Sequence, residues 1–321
     1  MNNLWCFMLP LSVNINMDNS AIPSVRPDLF NPKLQTEKDV WDEVTEFAAN
    51  NYCNSILIDL GDGVKYKSHP EIACEGAWEP EYLKEELKRL RKLGLTPFPK
   101  LNFSTGHNAW MGPYQRLVST PEYYKVCKEL IDEVCEIFDY PELFHLGLDE
   151  EDALNQQKKL YACIRQHDLI WHDLNFFFDC VRENGARPWI WFDYYMTHKD
   201  DFVKNVPKDV LVSPWCYQHL YADVSAPLRD VVEKKIKSFK ELSDSGYDVL
   251  VTASNYFNTY NMRHLLRKSL ETITPEKNKG FMFSSWYAAN KKHKYTNLDA
   301  IQLAKFALQE VEEIKRGERL S

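Results

Sequence analysis

Apolar residues along the chain follow two rhythms that take turns from one end to the other. Short runs with alternate or consecutive apolar positions occupy residues 4–13, 55–60, 96–103, 143–149, 187–194, 210–215, 248–255 and 280–286, and read as strands. Between them, apolar residues recur at helical spacing over 36–50, 79–93, 121–138, 168–183, 229–245 and 297–315. Shorter helical stretches occupy 199–205 and 262–272. Thr36 opens the first helix as a cap, Pro121 sits in the first turn of the third, and Gly94, Gly185, Gly246 and Gly317 follow helix ends. Eight strand–helix units in this order, with no break in composition, predict one α/β domain over residues 1–321, a (β/α)8 TIM barrel. A doubly wound sheet would carry a Gly-rich phosphate turn after its first strand, and Leu9-Pro-Leu-Ser-Val-Asn14 holds none. The longest irregular stretches, 14–34, 61–78 and 104–120, all follow strands, on the face where such barrels place their active sites.

Composition narrows the class. A hydrophobic content of 44% supports a packed core and argues against disorder. The formal charge of −8 carries no basic stripe, which speaks against a nucleic-acid partner and against an anionic membrane surface. No segment reaches the roughly 18 apolar residues that span a bilayer. The eight cysteines form no CxxC pair, and Cys127 and Cys135 share one predicted helix. Eight positions of helical rise separate those two by about 12 Å, too far for a disulfide. Reduced cysteines and a cytoplasmic location are therefore expected. The start, Met1 to Pro10, lacks a basic n-region and a small-residue cleavage site and reads as a first strand, as would a chain already trimmed of a leader. Nothing in the sequence indicates an oligomeric state.

The candidate chemistry lies at the strand ends. Phe144-His-Leu-Gly-Leu-Asp-Glu-Glu151 reads as a buried strand closing in a burst of carboxylates. Alternation puts His145, Gly147 and Asp149 on one face and Leu146 and Leu148 on the other, with Glu150 just beyond and free to turn back toward Asp149. The neighbouring strands end in Asp59, in Lys100, Asn102 and His107, in Trp191 and Asp193, in Trp215, in Asn255 and Tyr256, and in Trp286, with Trp110 in the loop after strand three. A lone Trp at a strand end serves a core as readily as a ligand, and a lone Asp caps a turn. Their gathering around one barrel mouth is what carries weight. Nine Trp, seventeen Tyr and seventeen Phe add the rings that sugar clefts use as stacking platforms, so the implied partner is a carbohydrate.

These residues resemble the family 20 glycoside hydrolases, the β-N-acetylhexosaminidases. That family ends strand four in His-x-Gly-Gly-Asp-Glu, matched here by His145-Leu-Gly147-Leu-Asp149-Glu150 with Leu148 in place of the second Gly. Its strand-three pattern Pro-Glu-x-Asp-x-Pro-Gly-His is similar to Pro99-Lys100-Leu-Asn102-Phe-Ser-Thr-Gly106-His107, which keeps Gly and His, exchanges both acids and inserts a residue. The order of Trp191, Asp193, Trp215 and Trp286 agrees, and Tyr256 lies where the family has a tyrosine that helps hold the substrate amide. Three phrases, Ile58-Asp-Leu-Gly, Lys100-Leu-Asn-Phe-Ser-Thr-Gly-His and Arg187-Pro-Trp-Ile-Trp, are also similar to an uncharacterised barrel group labelled twin-arginine pathway signal proteins. The family's strand-one arginine has no counterpart in residues 9–14, and its Trp-x-Glu on strand eight is Trp286-Tyr-Ala-Ala.

The resemblance implies a retaining glycoside hydrolase without a cofactor. Glu150 would be the general acid, kept protonated by neighbouring Asp149 and by partial burial. On a substrate with a 2-acetamido group, Asp149 would orient that amide while its oxygen attacks the anomeric carbon; on a related glycoside without one, Asp193 or Asp59 would act as nucleophile or base. Tyr256 would donate to that amide, His145 would support the acids, and Asp59, Lys100, Asn102, His107 and Asp193 would meet hydroxyls beside the indoles of Trp110, Trp191, Trp215 and Trp286. Two other readings compete. A metal-dependent sugar isomerase or lyase would use His107, His145, Asp149 and Glu150 as ligands, although no HxH or HExxH occurs and adjacent Asp-Glu chelates poorly. A non-catalytic carbohydrate-binding barrel would account for the missing Arg and Glu.

Overall fold

The computed structural model describes residues 3–15, 30–157, 162–218 and 226–315. Strands β1 (Leu4–Pro10), β2 (Ser55–Asp59), β3 (Thr96–Lys100), β4 (Leu143–His145), β5 (Arg187–Trp191), β6 (Leu211–Ser213), β7 (Asp248–Ser254) and β8 (Asn278–Ser284) pair in sequence order, all parallel, and close into a barrel. Around them lie α1 (Lys38–Ala49), α2 (Pro80–Lys92), α3 (Pro121–Ile137), α4 (Ala153–Gln156), α5 (Asp168–Glu183), α6 (Asp193–Thr197), α7 (Lys199–Asn205), α8 (Ala226–Asp244), α9 (Asn261–Thr272) and α10 (Lys294–Lys315). The predicted (β/α)8 TIM barrel is therefore the fold. No helix among the described residues is long and apolar enough to cross a membrane. All eight cysteines are unpaired.

Strand alternation divides the core in two. Leu4, Cys6, Met8, Leu57, Phe98, Leu143, Trp189, Leu211, Leu250 and Met282 pack together inside the barrel. Their sequence neighbours Phe7, Leu9, Ile56, Ile58, Phe144, Ile190, Val212, Val251 and Phe283 join the larger cluster under the helices. Each strand thus buries both faces, as parallel barrel strands must.

Several boundaries differ from the sequence reading. Strand four was expected to reach residue 149 and stops at His145, because Gly147 and Leu148 take left-handed backbone angles (φ +73° and +67°) that break alternation. Strand three was expected to reach residue 103, but only as far as Lys100 is it paired as a strand. Beyond that, Leu101 and Phe103 each donate to single carbonyls, of His145 (3.1 Å) and Leu146 (3.0 Å). Asp193 opens α6 rather than ending strand five. Thr36 is not the cap of α1; Glu37 holds that position, and the Thr36 hydroxyl donates to the Leu11 carbonyl at 2.8 Å. Thr120 caps α3 ahead of Pro121, accepting from the Tyr123 amide. Helices α4 and α6 were not anticipated, being too short to show a period. Of the loop expected at 14–34, residues 16–29 lie outside the described residues.

Barrel closure rests on a close approach. Gly280 pairs in register with Leu4 across β8 and β1, at φ +121°, and a Cβ there would stand 1.9 Å from the Leu4 carbonyl oxygen. Gly280→Ala must force the two strands apart or rebuild the bulge beside it. The expected outcome is a loss of at least about 2 kcal/mol, read as a lower urea midpoint with an unchanged slope.

Candidate active site

The C-terminal strand ends open on a cavity of about 250 Å³, small enough to suit one sugar-sized ring. Asp59, Lys100, Asn102, His107, Asp149 and Glu150 line one side of it; Trp191, Trp215, Tyr217, Tyr256, Phe257 and Trp286 line the other.

The acid pair is presented by an unusual backbone. Gly147, Leu148 and Glu150 all have positive φ, the last at +52°. Leu148 stands where the matched motif has a second glycine, in the backbone region that suits glycine best. The Asn102 side-chain amide holds this turn. Its oxygen accepts from the amides of Ser104 (3.0 Å) and Leu148 (3.3 Å), and its nitrogen donates to Asp149 Oδ1 at 3.0 Å. Gly147 lies against it so closely that a Cβ would fall 1.9 Å from the Asn102 oxygen. The Ser104 hydroxyl donates to the Asp149 carbonyl. His107 Nε2 stands 3.0 Å from Glu150 Oε2 and 3.5 Å from Asp149 Oδ2, so one imidazole nitrogen faces both carboxyls.

The third acid of the run turns the other way. Glu151 is buried against Arg165, which also bonds Asp173 at 3.1 Å and the Phe103 carbonyl at 3.3 Å. Glu151 accepts from the Thr105 amide at 3.2 Å as well. The stretch after β4 is thereby tied to the loop after β3 on both sides of Asp149 and Glu150. Sequence reading missed this triad, and only the burial of a full Asp-Glu-Glu run hinted that one member needed a cation.

Asp59 and Lys100 form an ion pair at the bottom of the cavity, on neighbouring strands and in register. Burial pushes the Asp59 carboxyl above its usual range, and Lys100 opposes that shift.

Two residues expected to touch a ligand, Trp110 and Asp193, do not line the cavity, and His145, expected to support the acids, stands behind it. Trp110 is buried against Phe103 and donates its Nε1 hydrogen to the Asn102 carbonyl at 2.8 Å, so it props the bracket from behind. His145 lies beneath the cavity floor, with Nδ1 accepting from the Gly147 amide at 2.9 Å and its ring against Trp189 and Trp191 (centroids 4.8 and 4.5 Å). Burial, with Lys100 nearby, holds His145 neutral far below the usual histidine range. Asp193 sits behind Trp215, accepting its Nε1 hydrogen at 2.8 Å, and borders a neighbouring cavity of about 290 Å³ together with Leu148, Trp171 and Tyr194. In each case a polar atom was needed to fix the wall, and the strand-end position alone could not separate wall from lining.

Tyr217, Phe257, Pro10 and Ser12 line the cavity and were not anticipated. Tyr217 stacks on Trp215 (4.8 Å, 21°) and meets Trp286 edge-on, which in turn packs against Trp191. The spacing of Trp215 and Tyr217 by two, one pleat repeat, was the available signal. The Lys235 ammonium, from α8, lies 3.1 Å from the Trp215 ring centre. Among the described residues, no group of three or more His, Cys, Asp or Glu could hold a metal ion.

Residues 80–304 match the glycosyl hydrolase family 20 catalytic domain. The chain belongs to that family. It is accordingly a glycoside hydrolase. Its fold is shared with the β-N-acetylhexosaminidase of Bacteroides fragilis at a TM-score of 0.64 and 15% identity, over 98% of this chain and 70% of that one. It is shared likewise with the Streptomyces plicatus N-acetyl-β-hexosaminidase in complex with thio-NAglucal (0.63, 12%, 94% and 64%). A third match is the Vibrio harveyi exo-β-N-acetylglucosaminidase in complex with N-acetylglucosamine (0.60, 13%, 100% and 59%). The chain thus spans between three fifths and seven tenths of these proteins' length. No curated protein matches it in sequence.

Two outcomes follow from the geometry. Asn102→Ala removes the bracket while leaving both acids in the chain, and turnover of a cleaved glycoside is expected to fall about 10²-fold with substrate affinity little changed. Steady-state kcat and KM check this. Asp193 carries the pH dependence. Burial, then the Asp149 charge and, more weakly, Glu150, push its carboxyl up to about 8, against Lys235 and the Trp215 hydrogen bond. Folded Asp193 therefore keeps a proton that the unfolded chain releases near pH 4. The stability tied to that proton is full below about pH 4 and is lost as pH rises toward 8. Asp193→Asn should gain stability relative to the parent across that window and level off above it, as read by urea unfolding at stepped pH.

Proposed function

We propose that the protein hydrolyses the glycosidic bond of a terminal 2-acetamido-2-deoxyhexoside with retention, using Glu150 as general acid and Asp149 as the partner of the substrate amide. The observation that carries this is that Asp149 and Glu150 line one aromatic-walled cavity while a single His107 nitrogen faces both. The structural neighbours named above act on or bind N-acetylhexosamines, which favours the same sugar class here.

In this reading Glu150 gives its proton to the glycosidic oxygen as the bond from that oxygen to the anomeric carbon breaks. The acetamido oxygen bonds to the anomeric carbon from the opposite face, and Asp149 accepts the amide hydrogen and offsets the positive charge that develops. Water then adds to the anomeric carbon, its proton returns to Glu150, and the amide is restored. Asn102 and Ser104 hold Asp149 in place beforehand, so little reorganisation is left for the transition state. Tyr256, on the cavity wall, is the donor to the amide oxygen, and Trp191, Trp215 and Trp286 cover the sugar faces.

Glu150→Gln is expected to lower kcat by about 10²–10⁴-fold while leaving binding of the sugar nearly intact. The loss should shrink for an aryl glycoside whose leaving group needs no protonation. A thiazoline that mimics the cyclised amide should inhibit competitively. A Gln variant with the parent rate on a poor leaving group would sink the assignment of Glu150, and indifference to the thiazoline would sink amide participation.

A further inference from the structure

We propose that the Asp59–Lys100 ion pair reads one ring hydroxyl of an uncharged sugar at the closed end of the cavity; the proposal rests on the hexosaminide reading above and names the substrate feature that reading leaves open.

Depth places the pair. Side-chain exposure falls from 34% at Glu150 through 15% at Asp149 to 7% at Asp59 and 1% at Lys100. The acids stand toward the rim and the pair at the floor. Register puts Pro10, Asp59, Lys100 and His145 side by side on four neighbouring strands. Two residues earlier on the same strands come Met8, Leu57, Phe98 and Leu143, all in the apolar cluster that fills the barrel. The pair is the last charged layer above an apolar plug. A ring with its anomeric bond at Glu150 therefore turns its far edge, the edge carrying the remaining hydroxyls, toward Asp59 and Lys100.

Valence says what the pair can bind. An ammonium has three donors and a carboxylate two acceptor oxygens. Among the described residues, the only side-chain hydrogen bond of either group is the one they make to each other, through Asp59 Oδ2. Both groups line the cavity, so donors on Lys100 and an acceptor oxygen on Asp59 remain to face a ligand. Neighbours on the floor do not use them: Pro10 has no N–H, and the Ser12 hydroxyl donates to Asp62. A hydroxyl donates and accepts at once, and a donor beside an acceptor is its complement. A sulfate or carboxylate on the sugar would find the Lys100 charge already cancelled by Asp59, with Asp149 and Glu150 above it. A pair kept only for stability would be a poor device, since well-packed apolar residues commonly do as well or better.

The test uses the full chain with an aryl N-acetylhexosaminide and its 3-deoxy, 4-deoxy and 6-deoxy analogues. One analogue should lose at least about a hundredfold in kcat/KM on the parent protein, because the unmatched pair is left desolvated. In Asp59→Asn/Lys100→Gln the same analogue should come within tenfold of the full sugar, the full sugar itself being cleaved more slowly. Should that variant fail to fold, Lys100→Arg keeps the charge and shifts the donors. It should lower kcat/KM for the full sugar at least tenfold and leave the sensitive analogue nearly unchanged. A 6-sulfated substrate should be cleaved poorly by the parent protein. Deoxy analogues that all react within threefold of the full sugar would overturn the proposal and leave the hexosaminidase reading standing. So would equal discrimination in parent and variant, or a preference for the sulfated sugar. No cleavage of any hexosaminide would overturn both, and that outcome is recognised by the parent protein alone.

Discussion

The side-chain amide of Asn102 is the constraint from which the geometry of the acid pair follows. Three of the four residues from Gly147 to Glu150 have positive φ, and left-handed backbone costs an L-residue about 1–2 kcal/mol. Such a turn persists only if its surroundings prefer it. Asn102 supplies that preference by accepting two backbone hydrogens and giving one to Asp149, while Trp110 secures the Asn102 carbonyl from behind. The Glu151–Arg165–Asp173 cluster clamps the far side of the turn. Asp149 and Glu150 are therefore fixed by the Asn102 bracket and the cluster behind it, and this is how adjacent residues, which alternation would send in opposite directions, come to line one space.

Charge sets the second limit. Asp59, Lys100, Asp149, Glu150, Asp193, Lys235, Glu151 and Arg165 crowd one end of a barrel whose interior is otherwise apolar. Asp59 and Glu151 are paired with Lys100 and Arg165, while Lys235 opposes the upward shift that burial imposes on Asp193. Asp149 and Glu150 both meet His107.

The strand–helix order was readable because a parallel barrel buries both faces of every strand, and eight apolar runs separated by helical periods leave few other solutions. The two-layered core was readable for the same reason, with Cys6 and Met8 inside and Phe7 and Leu9 outside. The acid pair, His107, Asn102 and the indoles of Trp191, Trp215 and Trp286 could be placed at the barrel mouth because they end or closely follow strands. What stayed hidden is of another kind. Trp110, His145 and Asp193 end or follow strands too, yet they brace the wall, and which residues face the space depends on left-handed turns that no hydrophobic period records. Lys235 comes from the inner side of α8, some twenty residues past the indole it touches, and helical spacing marks it only as a polar residue on an apolar face.

Leu148 shows how the competing terms resolve. A glycine at φ +67° would carry no steric penalty, so a leucine there gives up about 1–2 kcal/mol of backbone energy. Its side chain is almost wholly buried, which is worth about 1.5–3 kcal/mol, so the substitution is close to neutral in stability. It is not neutral in flexibility. Glycine at that point would leave the turn free to sample both hands of φ, and leucine, anchored between the core and the neighbouring cavity, does not allow it. The turn that carries Asp149 and Glu150 is thus stiffened by the same residue that strains it. A carboxyl pair held in advance of the substrate has less to rearrange as charge develops at the anomeric carbon.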